Sequence, residues 1–297
     1  ERSRALFIES GNPVHSLAES DKFRQAMRKA ELTVVIDVVH TETTEQADWI
    51  LPASSQYEKA EATFFSANFP ENTFHLRQAI LEPLEGTLSE PEIHSRLVQA
   101  SGVLDNVDLA PLREAASEGL DAFAGAFMSA AIENPAVSEY GAVVLYETLG
   151  KSLPKGKEGA AVLWFSCQMA AQKYPNQIRA AGYEGEGAGL GNNLFKAIIN
   201  NEDGVTFTRH EYADAFDFLT TPEQKINLHI PEMHEAISQL DAAPAKYTSK
   251  DFPFVLSAGE RRSFSANTIV RDPEWRKKDK EGALRIHPND ALTLGVE

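Results

Sequence analysis

Residues 32–36, Leu-Thr-Val-Val-Ile, form a nearly unbroken apolar, β-branched run. A half-buried strand would alternate with polar residues. This run does not, so it predicts a strand covered on both faces, as in a parallel sheet. Residues 4–9 before it read as a short strand. Residues 47–52 after it read as a third, stopped by Pro52. Between the first two strands, Phe23, Met27 and Ala30 share one helical face at spacings of four and three, with Ser20 as the expected N-cap. Gly11-Asn12-Pro13 reads as a turn, and Thr41–Glu45 starts a short helical turn. Strand, helix, strand, short helix, strand with minimal loops predicts a parallel, doubly wound α/β sheet. Ligands of such sheets bind outside the carboxyl ends of the strands. Gly11, Asn12 and the segment Asp37 to Thr41 fall at that edge.

The remaining residues divide less sharply. Residues 54–90 read as irregular, with Pro70, Pro83 and Gly86 as breakers. Residues 91–100 predict a helix ended by Gly102, and the Ala-rich stretch 109–132 is helical. The apolar runs 142–146 and 161–165 fit helix and strand equally. Residues 182–191 read as a glycine-rich loop and 193–200 as a helix. Short strands are expected within 205–230, a linker over 242–249, and a strand over 252–257.

Charge and cysteine content remove several function classes. The 28 basic against 44 acidic residues give a net charge of −16, which repels nucleic-acid phosphates. One cysteine among 297 residues excludes an intrachain disulfide framework and any multi-cysteine zinc or iron–sulfur site within the chain. No apolar run approaches the ~18 residues of a membrane span, and no signal peptide is visible. The chain starts at Glu1, close to a strand, and ends at Glu297 with no closing element. It therefore reads as a piece of a larger polypeptide.

Candidate sites weigh against simpler readings. Gly185, Gly187, Gly189 and Gly191 alternate as in a dinucleotide loop, but no strand precedes them, so a flexible surface loop is favoured. Cys167 beside Trp164 and Phe165 reads as an inert core thiol. The eight histidines show no metal-ligand spacing, and His229 and His234 flank Pro231. Arg276 to Lys280 reads as a solvated loop, whereas Arg261-Arg262 after a strand suits either an anion or a surface ion pair. Asp37, ending a buried strand, has two readings. It caps the next turn, or it accepts hydrogen bonds from the sugar or base of a nucleotide.

Two stretches carry a resemblance. Gly11-Asn12-Pro13, Val34 through Thr44 with Asp37, Thr41, Glu42 and Thr43, then Ala47-Asp48-Trp49-Ile50-Leu51-Pro52 and Glu58-Lys59, follow one pattern in order and spacing. This resembles the molybdopterin oxidoreductases, the bis-molybdopterin-guanine-dinucleotide enzymes that include formate dehydrogenases, nitrate reductases and dimethyl sulfoxide reductases. Phe254 through Arg262, Asn267-Thr268 and Leu284 through Gly295 are similar to the start of that family's carboxyl-terminal dinucleotide-binding barrel. Pro91 through Gly102 is similar to the helix after its strand motif. The resemblance implies that Gly11, Asn12, Asp37 and Thr41 hold the guanosine end of a cofactor. It likewise implies that Gly259, Glu260 and Arg262 meet the pterin end. Glu58 to Thr63 departs from the family's Glu-x-x-Gly-Thr, losing its glycine turn. The family's iron–sulfur cysteine motif and its metal-ligating segment are absent from this sequence.

The resemblance thus implies three parts. Residues 1–102 would form a Rossmann-like cofactor-binding lobe, 103–250 a mainly helical region, and 251–297 the beginning of a β-barrel. The parent would be an oxidoreductase carrying molybdopterin guanine dinucleotide with molybdenum or tungsten, an iron–sulfur cluster being expected only in preceding sequence. No catalysis and no bound metal are expected of this chain alone. The alternative is a non-catalytic α/β binding or assembly module derived from the same fold. The expected partner is a small-molecule redox substrate of the parent, with the electron-transfer partner not specified. No nucleic-acid partner and no membrane segment are expected. The cytoplasm is the expected compartment, with the periplasm left open.

Overall fold

The structure, a computed structural model, describes residues 3–63, 69–240, 247–256, 274 and 285–296. In chain order its elements begin with β1 (Ala5–Glu9), α1 (Pro13–Ser16), α2 (Ser20–Lys29), β2 (Leu32–Asp37), a 3-10 turn (Thr44–Gln46) and β3 (Trp49–Pro52). There follow β4 (Glu61–Thr63), β5 (Glu71–Arg77), α3 (Glu90–Ala100), α4 (Ala110–Glu118), α5 (Leu120–Glu133), α6 (Pro135–Glu139) and α7 (Gly141–Glu147). The rest are α8 (Val162–Lys173), α9 (Pro175–Ala180), α10 (Gly187–Asn200), β6 (Val205–Arg209), α11 (Pro231–Leu240) and α12 (Pro288–Leu294), with a 3-10 segment at Tyr212–Phe218. The chain forms two units, Glu1–Gly11 with Met27–Ile226, and Asn12–Ala26 with Asn227–Glu297.

In the first unit, β1, β2 and β3 make the expected parallel sheet in the order β1-β2-β3. Thr33 to Ile36 are buried, as their run of branched side chains requires. Register pairs Glu9 with Ile36, and Asp37 with Pro52. Asp48 fixes the start of β3: its Oδ2 accepts the Thr33 N–H at 2.7 Å, and its own N–H donates to the Thr33 carbonyl at 2.9 Å. On one face Ile36 packs with Ala53 and with Ile93 of α3. Thr33 points to the other face, where its hydroxyl donates to the Met27 carbonyl of α2. Double winding also requires a reversal of strand order, and the described strands of this sheet run in one direction only.

Residues 54–90 are more ordered than their breakers imply. β4 and β5 pair antiparallel, and β5 pairs with β6, building a second sheet in the order β4-β5-β6. Pro70 and Pro83 bracket β5 instead of interrupting it. Its pairing with residues 205–209 is non-local, and no periodicity within β5 announces a partner so distant in sequence.

The helical core carries most of this unit's buried apolar surface. Phe123 and Phe127 of α5 meet Trp164 of α8 edge to face, with centroids 5.2 and 5.5 Å apart. Inside that core Asn192 of α10 accepts the Trp164 indole N–H and the Gln168 amide, each at 2.8 Å, and donates to Asp121 at 2.7 Å. The apolar runs 142–146 and 161–165 resolve as helix, in α7 and at the start of α8. The stretch 109–132 splits into α4 and α5 at Gly119, whose φ is 135°. The glycine-rich loop is corrected: Gly187, Gly189 and Gly191 lie within α10. A Cβ on Gly191 would come within 2.6 Å of the Gln168 side chain, so this glycine permits close packing of α10 on α8.

In the second unit, Asn12 precedes α1, and its carbonyl accepts from the N–H groups of His15 and Ser16 and from the Ser16 hydroxyl. Ser20 does not cap α2 as expected; its hydroxyl donates to the Val14 carbonyl at 2.6 Å. The rings of His229 and His234 lie 5.5 Å apart beside the start of α11. The expected strand at 252–257 is corrected as well: Phe252–Leu256 are not in a strand, and no closed barrel occurs among the described residues. Most of the expected linker at 242–249, together with Gly259, Glu260, Arg261 and Arg262, lies outside the described residues.

Candidate functional site

The carboxyl edge of the parallel sheet gathers three of the expected residues. The Ser10 N–H donates to the Ile36 carbonyl at 3.0 Å, so the β1–β2 ladder extends one residue past β1. Ser10 then adopts a φ of 51°, a left-handed conformation costly for a residue with a Cβ, and turns the chain into Gly11. Gly11 therefore leaves the edge beside the end of β2, where Asp37 stands.

Asp37 is held by its main chain and open at its side chain. Its carbonyl accepts the Ala53 N–H at 3.0 Å, which ties it to the exit of β3. Its Oδ1 accepts the Val38 N–H at 2.7 Å, and Oδ2 has no partner among the described residues. A carboxylate has about four acceptor positions, so the group keeps capacity for further donors. Val38 and Val39 beside it are 43% and 57% exposed, an apolar surface next to an acceptor. The turn-capping reading of Asp37 is met through one oxygen.

Thr41 is buried, and it is hydrogen-bonded to Thr44. Its hydroxyl accepts the Thr44 N–H at 3.2 Å, and its own N–H donates to the Thr44 hydroxyl at 2.7 Å. The Thr44 hydroxyl donates in turn to the Thr41 carbonyl at 2.8 Å. This reciprocal pair closes the 3-10 turn and fixes the segment that carries Asp37. Asn12 belongs to the second unit.

Groups outside the expected list support or border this edge. Glu58 is buried, and its carboxylate accepts the N–H groups of Ser55 at 2.7 Å and Leu84 at 3.0 Å. The Ser55 amide, with the Ser55 hydroxyl and the Leu84 amide, holds this carboxyl below the usual carboxylate range. Lys59 reaches both Glu90 oxygens at 2.5 Å. This pair fastens the loop after β3 to the first turn of α3, so Glu58-Lys59 fixes the chain without the glycine turn. His94 of α3 meets Glu9, the last residue of β1, at 2.6 Å between Nε2 and Oε2. Alternation along β1 could have placed Glu9 at this edge, but nothing in the sequence pairs it with His94.

Cys167 is buried and its thiol is pushed up to about 12 by burial, which matches an inert core residue. Among the described residues no three His, Cys, Asp or Glu side chains cluster to hold a metal ion. No described helix is long and apolar enough to cross a membrane.

The first unit is thus an α/β unit with a parallel three-stranded sheet and an acidic residue at its carboxyl edge. In comparison with known proteins, residues 1–84 match the family described as molybdopterin oxidoreductase. "Probable oxidoreductase YoaE" of Bacillus subtilis (strain 168) is 34% identical over 103 residues, which is 34% of this chain and 15% of that protein. "Probable oxidoreductase YyaE" of the same organism is 29% identical over 97 residues, 33% of this chain and 14% of its own length. A "Nitrate reductase" of Symbiobacterium thermophilum is 39% identical over 79 residues, 27% of this chain and 10% of that protein. The chain thus spans 15% or less of each of these relatives.

Proposed function

We propose that this chain supplies part of the cofactor-binding surface of a molybdopterin-dependent oxidoreductase, taking the guanosine end of a molybdopterin guanine dinucleotide. The observation that carries the reading is Asp37: an outward carboxylate beside exposed valines, inside the segment that matches the family. A guanine edge presents two N–H donors side by side, and a carboxylate with spare lone pairs accepts both. The donor and acceptor chemistry at this edge therefore fits the group. Gly11 would approach the ribose from the turn after β1. Thr41 acts by holding the Asp37 segment in place. Asn12 is assigned to the same nucleotide and Gly259, Glu260 and Arg262 to the pterin end, on the family resemblance alone.

When bound, molybdenum or tungsten in such a cofactor supplies two-electron chemistry on a small-molecule substrate. The part of this chain is to bind and orient the nucleotide. Metal ligation and any iron–sulfur cluster are assigned to other sequence. The division at residues 102 and 250 and a cytoplasmic setting belong to the same reading.

The test is a titration of the 297-residue chain with guanosine and with xanthosine, for wild type and Asp37→Asn. Asparagine replaces one acceptor with a donor, which opposes a guanine N–H and suits the xanthine carbonyl. Guanosine is expected to bind at least about tenfold more weakly, with xanthosine gaining, since hydrogen bonds to charged groups carry about 1.5–3 kcal/mol. Equal guanosine affinity in the two proteins would refute the assignment.

A further inference from the structure

A cavity of about 290 Å³ lies where the α4–α5 junction, residues 149–154 and the carboxyl half of α10 meet. It shares no residue with the Asp37 edge. Its body is apolar, with Leu120, Leu153, Phe195 and Ile199 among its walls. Phe195 and Ile199 are 1% and 5% exposed, so this wall is continuous with the helical core. The next pair along α10, Lys196 and Asn200, also lines the cavity and is exposed. Helical spacing explains the division: residues 195 and 199 share one line along the helix, and 196 and 200 share the adjacent one. Lys157 fastens this end of α10 to the loop before α8, because its Nζ donates to the Ile199 carbonyl at 2.6 Å.

The polar rim has one sign. Among the described residues no acidic side chain lines the cavity, although acidic residues outnumber basic ones 44 to 28 in the chain. Lys196 and the side chain of Asn200 have no hydrogen-bond or ion-pair partner among the described residues. An ammonium and an amide one helical turn apart offer several donors and one positive charge. A carboxylate accepts through two oxygens and carries the complementary charge, and apolar walls call for an apolar body attached to it. At the ~30 Å³ that a water-sized group occupies in a liquid, the cavity admits roughly ten non-hydrogen atoms. We propose that this cavity binds a monocarboxylate with an aliphatic body of about eight carbons, its chain against Phe195 and Ile199 and its carboxylate at Lys196 and Asn200. The site is independent of the nucleotide reading above.

The experiment titrates the 297-residue chain at pH 7 by calorimetry with hexanoate, octanoate, dodecanoate and octanol. It compares wild type, Lys196→Gln, Lys155→Gln and Leu153→Trp. Octanoate should bind about tenfold more tightly than hexanoate, since each buried methylene contributes about fourfold, and dodecanoate should gain little more because the cavity is then full. Octanoate should also bind more tightly than octanol. Lys196→Gln should cut that preference by about fivefold, whereas Lys155→Gln, the same charge change at a residue that does not line the cavity, should leave it intact. Leu153→Trp should weaken every ligand by filling the space. Lys196 is exposed, so Lys196→Gln folds and decides the matter even if Leu153→Trp does not fold. Absence of octanoate binding in wild type overturns the proposal, and so does equal affinity for octanol and octanoate. An unchanged preference in Lys196→Gln overturns it too. Equal losses in the two lysine variants assign the attraction to general charge and likewise overturn it.

Discussion

Replacing Asn192 by leucine tests whether one buried polar group organises the helical core. Asn192 is 1% exposed and joins α5, α8 and α10 by accepting from Trp164 and Gln168 and donating to Asp121. Leucine nearly conserves volume, so the perturbation is loss of hydrogen bonds, not a cavity. Asp121 is exposed and regains water, and Gln168 is half-buried. Trp164 is 2% exposed as a residue, so its indole N–H has nowhere to turn. An orphaned buried donor costs about 1–3 kcal/mol, and the lost bonds add about 1 kcal/mol, so roughly 2–4 kcal/mol of destabilisation is expected. With a urea slope of about 2–3 kcal/mol/M, the unfolding midpoint falls by about 1 M. Far-UV circular dichroism reads this transition in every variant, including those that lack the Trp164 indole. The decisive arm is the double variant Asn192→Leu with Trp164→Phe. Removing donor and acceptor together should recover about 1–2 kcal/mol relative to additivity. A midpoint unchanged by Asn192→Leu, or strict additivity in the double variant, would refute the reasoning.

Two further outcomes follow from close packing and burial. Gly150→Ala should destabilise by roughly 1–3 kcal/mol, because its Cβ would sit 2.7 Å from the Glu158 backbone oxygen. Gly125→Ala, in an exposed turn of α5 with nothing within 4 Å, should stabilise by about 0.5–1 kcal/mol; urea midpoints of both check the pair. Cys167 should resist a thiol reagent at pH 8 until the chain is unfolded, and rapid labelling of the native protein would contradict its burial. With its thiol pushed up to about 12, an unfolded chain ionises first. The contribution of Cys167 is therefore complete below about pH 8.5 and is lost as pH rises toward 12, a decline that Cys167→Ala should flatten.

The parallel sheet was legible because its signals are local. A β-branched run, a proline stop and short intervening helical periodicity identify β1 to β3 and place Asp37 at the edge. The second sheet was not, since β5 finds its partner in β6 more than a hundred residues away. Alternating glycines read as a loop because no strand precedes them, and glycine also disfavours helix. Packing reversed that preference, with Gly191 set against Gln168. Residue type and position placed Asp37 at the carboxyl edge, while the hydrogen bonds between Thr41 and Thr44 were not legible in the sequence. The His94–Glu9 contact joins α3 to β1, and no linear pattern encodes it. The 252–257 run has the composition of a strand and no ladder partner among the described residues.

Asp48 has a consequence for how this lobe can change. It fastens β3 to β2 at two points near the amino ends of the strands, away from the edge that carries Asp37. Register is thus set at the end of the sheet opposite the Asp37 edge. Replacement of the residues that follow Asp37 alters what the edge can hold without sliding β3 along β2. The residues of that edge can therefore be exchanged while the strands keep their alignment.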